Sequence, residues 1–259
     1  MLKGILLLFS IFSLTLTVQA ETIFKVAFEN KVQFPYYMGQ SSKVLADKPG
    51  AAVELIKLIE SKVPGIKIEL VRYPWTRCLK ELNDGNIDAV FNASFEEERL
   101  KIGAYPWKAD SVDTDRKLTT IAYHFYKLKR SDFAWDGKVV SGKSSSIGAP
   151  TGYSIVEHLK KIGLKVNESS STQSNMKKLI SGRVSAIALQ EINGDYLIKT
   201  LDEFSNLEKV EPPIITKPYY LMISNQFKGK NPKITEKIWD AVASLRDESL
   251  NNITEKYFQ

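Results

Sequence analysis

The sequence predicts an α/β protein of two lobes, each built on a mainly parallel sheet, with two crossover strands joining them. Three observations predict it. The phrase LNDGNIDAVFNAS at residues 82–94 returns in similar form as LISGRVSAIALQE at 179–191. Around each copy, strand-like and helix-like apolar periods alternate, giving β-α-β-α-β twice. Two further strand-like stretches, 119–129 and 219–224, lie where links between the halves belong.

In the first half, residues 21–28 alternate and read as a strand that ends in a polar loop containing Phe34-Pro35-Tyr36-Tyr37. Pro49-Gly50 opens a helix with Val53, Leu55, Ile56 and Ile59 at helical spacing, and Pro64-Gly65 ends it. Residues 66–71 form a strand. Pro74 starts a second helix through Leu82, which Gly85 stops at a position favouring left-handed backbone. Residues 87–91, small and apolar, read as a strand buried on both faces.

The second half follows the same plan. Residues 146–149 read as a strand, and 151–161 as a helix with Ile155, Val156 and Leu159 inward. Gly163 stops it, and 164–166 form a strand. A serine-rich loop leads to a helix at 175–180, a stop at Gly182 and a buried strand at 184–189. Beyond the second link, 232–248 is an amphipathic helix carrying Ile234, Ile238, Ala241, Val242 and Leu245. With two crossings, that helix returns to the first lobe. Lobe 1 is therefore expected at 21–126 together with 219–259, and lobe 2 at 127–218. The repeated phrase marks the helix-stop-strand junction of two equivalent modules with right-handed crossovers. Ligands collect at the carboxyl ends of such strands, so the gap between the lobes is the expected binding cleft.

Residues 1–20 combine Lys3, an apolar stretch and the small residues Val18 and Ala20 ahead of Glu21, the pattern of a cleaved secretory signal peptide. Ser10, Ser13, Thr15 and Thr17 interrupt the apolar run and argue against a membrane anchor. No cysteine near the cut could carry a lipid, so an exported protein without a lipid anchor is expected, in the periplasm. The chain has 259 residues, 43% hydrophobic and 25% charged, ordinary for a packed globular core. Its formal net charge of +6 falls by one when Lys3 leaves, and the lysines are scattered singly, which argues against nucleic acid as a partner. Cys78 is the single cysteine, so no intramolecular disulfide forms, and it reads as buried. With only His124 and His158 besides, zinc sites of the Cys/His type are excluded. Both histidines lack an evident partner and read as structural.

No catalytic constellation is present: there is no G-x-S-x-G, P-loop or H-E-x-x-H pattern. Ser94-Phe95-Glu96-Glu97 fits a capping box, and free amides at a helix start also attract anions. Arg99 could clamp a carboxylate with two parallel hydrogen bonds, or pair with Glu96 or Glu98 at the surface. Trp75 is either core or a flat wall for a solute. Arg77 stands open between a ligand contact and a solvated or interlobe charge. One of Tyr36 and Tyr37 is expected to reach the cleft. Thr151-Gly152-Tyr153-Ser154 starts a helix, with Thr151 or Ser154 as its N-cap, or contacts ligand.

The ordered set of segments FPYY, PGAAVELIKLIE, PWTRCLKELNDGNIDAVFNASFEEERLKIGAYP, IGAPTGYS, LISGRVSAIALQE and ITEKIWDAVASLRDESLNNITEKYF resembles the bacterial solute-binding proteins of family 3 across essentially the whole exported chain. The resemblance implies a type II periplasmic-binding-protein-like fold closing by hinge motion on a small solute. It places a carboxylate-binding arginine at Arg99, with Ser94 and Asn92 beside it, and a covering aromatic at Trp75. In the second lobe it places contacts at Thr151, Gly152 and Tyr153. Where such proteins carry an acidic residue for an α-amino group, this chain has Gln190, with Glu191 next. Glu96 also stands where amino-acid binders tend to have threonine. Tyr36 and Arg77 complete the candidate ligand-binding residues. The resemblance implies no cofactor and no catalysis. It implies a monomer that hands a small polar solute to an inner-membrane ABC permease. The alternatives are a sensory subunit docking on a membrane signalling protein or, more remotely, a lyase or dehydratase.

Overall fold

The computed structural model describes residues 21–142 and 145–259. The export signal expected at 1–20 lies outside the described residues.

Strand β1 (Thr22–Glu29) runs parallel to β2 (Ile66–Tyr73) along its whole length and pairs with β3 (Ala89–Ser94) on its other edge. Helix α1 (Ala51–Lys62) buries Val53, Leu55, Ile56 and Ile59, the residues whose spacing predicts it. Helix α2 (Trp75–Asn83) buries Trp75, Cys78 and Leu82, and Gly85 (φ 74°) turns the chain into β3. Burial pushes the Cys78 thiol up to about 12. Two-residue β4 (Gly103–Ala104) and the long β5 (Thr119–Leu128) complete the first half.

The second module is β6 (Ile147–Pro150), α3 (Ser154–Lys161), β7 (Val166–Ser169), α4 (Thr172–Ile180) and β8 (Ala186–Gln190). Ser171 caps α4 by accepting from the Ser174 amide, and Gly182 (φ 70°) turns into β8 as Gly85 does into β3. Next come α5 (Glu191–Thr200) and the 18-residue β9 (Leu207–Ser224). Helices α6 (Asn225–Lys230), α7 (Pro232–Leu245) and α8 (Asn251–Glu255) close the chain. Helix α7 packs on α1, and Trp239 donates to the Leu221 carbonyl at 2.9 Å. No described helix is long and apolar enough to cross a membrane.

The strand order is β7-β6-β8-β5-β9-β3-β1-β2, with β4 on β9. The class is the α/β, two-lobed fold expected. The two sheets prove to be the two ends of one curled ladder, because β5 and β9 pair with each other and with a strand from each end. Opposite His124, residues 211–214 step out of register between Val210 and Ile215. The prolines at 212 and 213 lack N–H donors and fit there without costing a ladder bond.

Three local expectations need correcting, and one helix was not expected. Helix α3 starts at Ser154, because Gly152 (φ 76°) lies outside helical space, and neither Thr151 nor Ser154 caps it. The capping box fails: Ser94 belongs to β3, and the following 3₁₀ turn (Glu97–Lys101) has Glu96 at its N-cap without a side-chain cap. Helix α5 is not evident in the sequence because Asn193-Gly194 disfavours a helix. Gly194 is there because a Cβ would stand 2.4 Å from the Tyr126 ring. His124 does have partners: its ring lies 3.2 Å from the Val210 carbonyl, 3.6 Å from Glu191 and 3.5 Å from Glu211.

Gly50 seats the loop that leads into the cleft. Its φ is 123°, and a Cβ there would stand 2.3 Å from the Tyr36 carbonyl oxygen. Gly50→Ala is expected to destabilise the protein by roughly 3 kcal/mol through overpacking and backbone strain. Urea denaturation checks this, and a change below experimental error would show that the loop yields freely.

Candidate ligand-binding site

The carboxyl ends of the parallel strands at both ends of the sheet face one another. They converge on a small cavity of about 20 Å³. From the first lobe come Glu29 at the end of β1, Gln33 and Tyr37 on the loop behind it, and Trp75 at the head of α2. Asn92 and Ser94 come from β3, and Arg99 from the 3₁₀ turn. The long strands supply Tyr123 and Tyr219, and the second lobe supplies Tyr153, Ser154 and Gln190.

Arg99 is half-buried. Its Nη1 donates to the Ser94 carbonyl at 3.0 Å and the Ser94 hydroxyl at 3.3 Å. Its Nη2 reaches across to the Gly152 carbonyl at 3.4 Å, and the guanidinium lies 5.6 Å from the centre of the Trp75 ring. Those partners are neutral oxygens, so its charge is not balanced by a carboxylate among the described residues. Glu29 is 1% exposed. It takes Lys31 Nζ at 3.0 Å, Gln33 Nε2 at 3.3 Å and the Tyr153 hydroxyl from the other lobe. Gln33 Nε2 also donates to the Tyr153 oxygen. Tyr219 donates to Tyr123 at 3.0 Å, and Gln190 Nε2 donates to Tyr123 at 3.3 Å. Burial pushes the hydroxyls of Tyr37, Tyr123, Tyr153 and Tyr219 upward, so all four are neutral hydrogen-bonding groups.

Of the residues singled out in the sequence, Trp75, Asn92, Ser94, Arg99, Tyr153 and Gln190 line this cavity. Gly152 stands at its edge, its carbonyl on Arg99. Tyr36 is buried with its hydroxyl 3.3 Å from Thr119, and the neighbouring Tyr37 lines the cavity instead. Arg77 does not reach it: it pairs with Glu81 at 3.0 Å and stacks 4.3 Å over the Tyr73 ring. Thr151 is exposed, its amide donating to the Ser169 carbonyl. Glu191 turns away to Lys209 at 2.7 Å and faces His124. Ligand atoms of His124, Glu191 and Glu211 lie within 4.8 Å of one another, and the Lys209 ammonium stands among these carboxylates as their own cation.

Glu29, Gln33, Tyr123 and Tyr219 are the lining residues that sequence inspection missed, whereas Tyr37 and Ser154 come from the aromatic pair and the turn it singled out. Glu29 ends an alternating strand, where a charge reads as solvated. The rule that ligands gather at strand carboxyl ends is the one signal that could have found it.

Further contacts hold the lobes together around the cavity. Lys31 donates to the Ser170 carbonyl, Lys217 pairs with Glu96, and Phe34 stacks on Tyr196 at 4.3 Å and 11°. Tyr153→Phe removes the hydroxyl that serves Glu29 and Gln33 together. The expected result is a larger radius of gyration in solution scattering with little change in melting temperature, since lobe closure loses a charge-assisted bond that folding does not use. An unchanged radius would show that closure does not depend on this hydroxyl.

Residues 35–259 match the profile of the bacterial extracellular solute-binding proteins, family 3. The chain belongs to that family. Among curated proteins no sequence matches it. A histidine kinase sensor domain with similarity to periplasmic binding proteins superposes with a TM-score of 0.71 at 16% identity, over 92% of this chain and 96% of that one. An ancestral arginine-binding protein bound to arginine gives 0.70 at 21%, over 92% and 98%. The substrate-binding protein of an amino acid ABC transporter gives 0.66 at 16%, over 92% and 99%. At these identities the likeness shows the fold alone.

Proposed function

We propose that the protein is a periplasmic receptor, exported by a cleaved signal peptide, that captures a small polar solute between its lobes and delivers it to an ABC permease in the inner membrane. The solute is an amino acid or a related carboxylate. The observation that carries this is Arg99, a cation whose partners among the described residues are neutral oxygens, held at the mouth of both lobes beside Trp75. The lobes divide as 21–126 with 219–259 against 127–218, and the receptor acts as a monomer without catalysis. The site residues of this proposal are Trp75, Asn92, Ser94, Arg99, Tyr153 and Gln190, joined by Glu29, Gln33 and Tyr37. Binding shifts the population toward the closed lobes, the contacts across the cleft forming only there.

A second reading, favoured by the likeness to a histidine kinase sensor domain, keeps the site and changes the partner. The closed form then docks on a membrane signalling protein. Cross-linking the protein in its native membranes and identifying the captured partner separates the two. Permease subunits support transport, and a kinase or other signalling protein replaces it. A thermal-shift screen across amino acids, small carboxylates, polyamines and short peptides tests the receptor itself. No stabilisation by any solute overturns it.

A further inference from the structure

The cavity's own unmet chemistry defines its guest more narrowly. Among the lining residues, Gln33 Oε1, both amide atoms of Asn92 and the Ser154 hydroxyl are buried and make no hydrogen bond among the described residues. Gln33 is 3% exposed and Asn92 6%. Asn92 is held at φ 54°, in left-handed backbone that asparagine tolerates better than most residues. Buried polar atoms without partners are costly, so a guest that meets them is strongly favoured over one that does not. The Ser154 hydroxyl can donate or accept, and of the three amide atoms two accept, Gln33 Oε1 and Asn92 Oδ1. The third, Asn92 Nδ2, donates. A guest that meets the amide atoms therefore offers two N–H or O–H donors and one acceptor, with a further polar group for Ser154.

The charges add a second requirement. The charged residues of the lining are Glu29 and Arg99. Glu29 is already engaged by Lys31, Gln33 and Tyr153, whereas Arg99 bonds neutral oxygens. One positive charge is left over. A guest carrying one net negative charge cancels it. A zwitterion brings an ammonium for which no free carboxylate waits, and leaves the closed cleft with an unbalanced cation.

On the footing that this cleft is the solute site and that the lobes part to widen its water-sized cavity of about 20 Å³, we propose that the ligand is a monoanionic carboxylate bearing uncharged hydroxyl or carboxamide groups, rather than a free α-amino acid. Its carboxylate meets Arg99, and its hydroxyl or amide pairs with Asn92 and Gln33. A carboxamide fits Asn92 best, since two amides exchange two hydrogen bonds.

Two matched pairs of probes test this by titration calorimetry on the full exported chain: L-glycerate against L-serine, and succinamate against L-asparagine. Within each pair the amino-acid member adds an ammonium group in place of a hydroxyl or a hydrogen. The expected result is at least tenfold tighter binding of glycerate and succinamate. Asn92→Asp, which puts a carboxylate in the cavity at the same size, should reverse the preference toward serine and asparagine. The proposal is overturned if the amino acids bind as tightly as their partners, if none of the four binds, or if Asn92→Asp leaves the order unchanged. A different solute found in the broad thermal-shift screen would leave the receptor standing while this ligand class falls. No solute at all would bring down both.

Discussion

Arg99→Ala is expected to abolish the rise in melting temperature that a bound solute produces, while leaving the unliganded protein nearly as stable. The side chain is half-buried on a short 3₁₀ turn and bonds Ser94 and Gly152. Its removal opens no large hole in the core, but it takes away a cation that lines the cavity and has no carboxylate partner among the described residues. Truncating one member of a buried charge pair costs roughly 2–5 kcal/mol in binding, a loss of at least about thirtyfold. Arg99→Lys should recover part of this, since lysine keeps the charge but not the two-pronged geometry. Thermal shift with the best solute of the screen is the measurement. A full shift in the alanine variant would remove Arg99 from the site.

The largest effect on folding is expected at Arg72. This residue of β2 is 2% exposed, and its guanidinium bonds the carbonyls of Glu29, Lys31, Met38, Gly39 and Lys43, with Phe28 against its face at 4.8 Å. It is the hub on which the loop carrying Gln33 and Tyr37 is wound. Arg72→Ala leaves several of those carbonyls without a donor at once. Each such orphan costs about 1–3 kcal/mol where water cannot reach it, so the total should exceed about 3 kcal/mol. The melting temperature should drop by about 10 °C in a chain of this size. Solute binding should fail as well, because Glu29, Gln33 and Tyr37 lose their seat. A melting temperature within a degree or two of the original would show that other contacts order the loop.

Periodicity and punctuation made most of the frame legible. Gly85 and Gly182 announce the two turns into central strands, and both have the positive φ expected. Val53, Ile56 and Ile59 mark the inner face of α1, and all three are buried. The site was legible where it lies on the repeated modules: Trp75, Asn92, Ser94, Arg99, Tyr153 and Gln190 line the cavity. Orientation decided the failures. Arg77, two residues after Trp75 on the same helix, points roughly 200° away from it. Glu191 follows Gln190 at a strand end, where successive side chains face opposite sides. Tyr123 and Tyr219 sit on long strands in which only tertiary pairing tells the cavity side from the other. Glu29 ends β1, where only the rule about strand carboxyl ends points to it, and Gln33 depends on a loop folded back over β1 by Arg72, which no local pattern reveals.

The unbroken ladder has a consequence for how the molecule comes apart. Since β5 and β9 belong to both halves, neither half can be excised with a full complement of strands. Any cut would leave a raw sheet margin with its amides and carbonyls stripped of partners. The two lobes are thus expected to melt as a single cooperative unit, in one calorimetric transition. In the proposed closure, bending of the shared β5–β9 spine, rather than any linker, is then expected to set how far the jaws part.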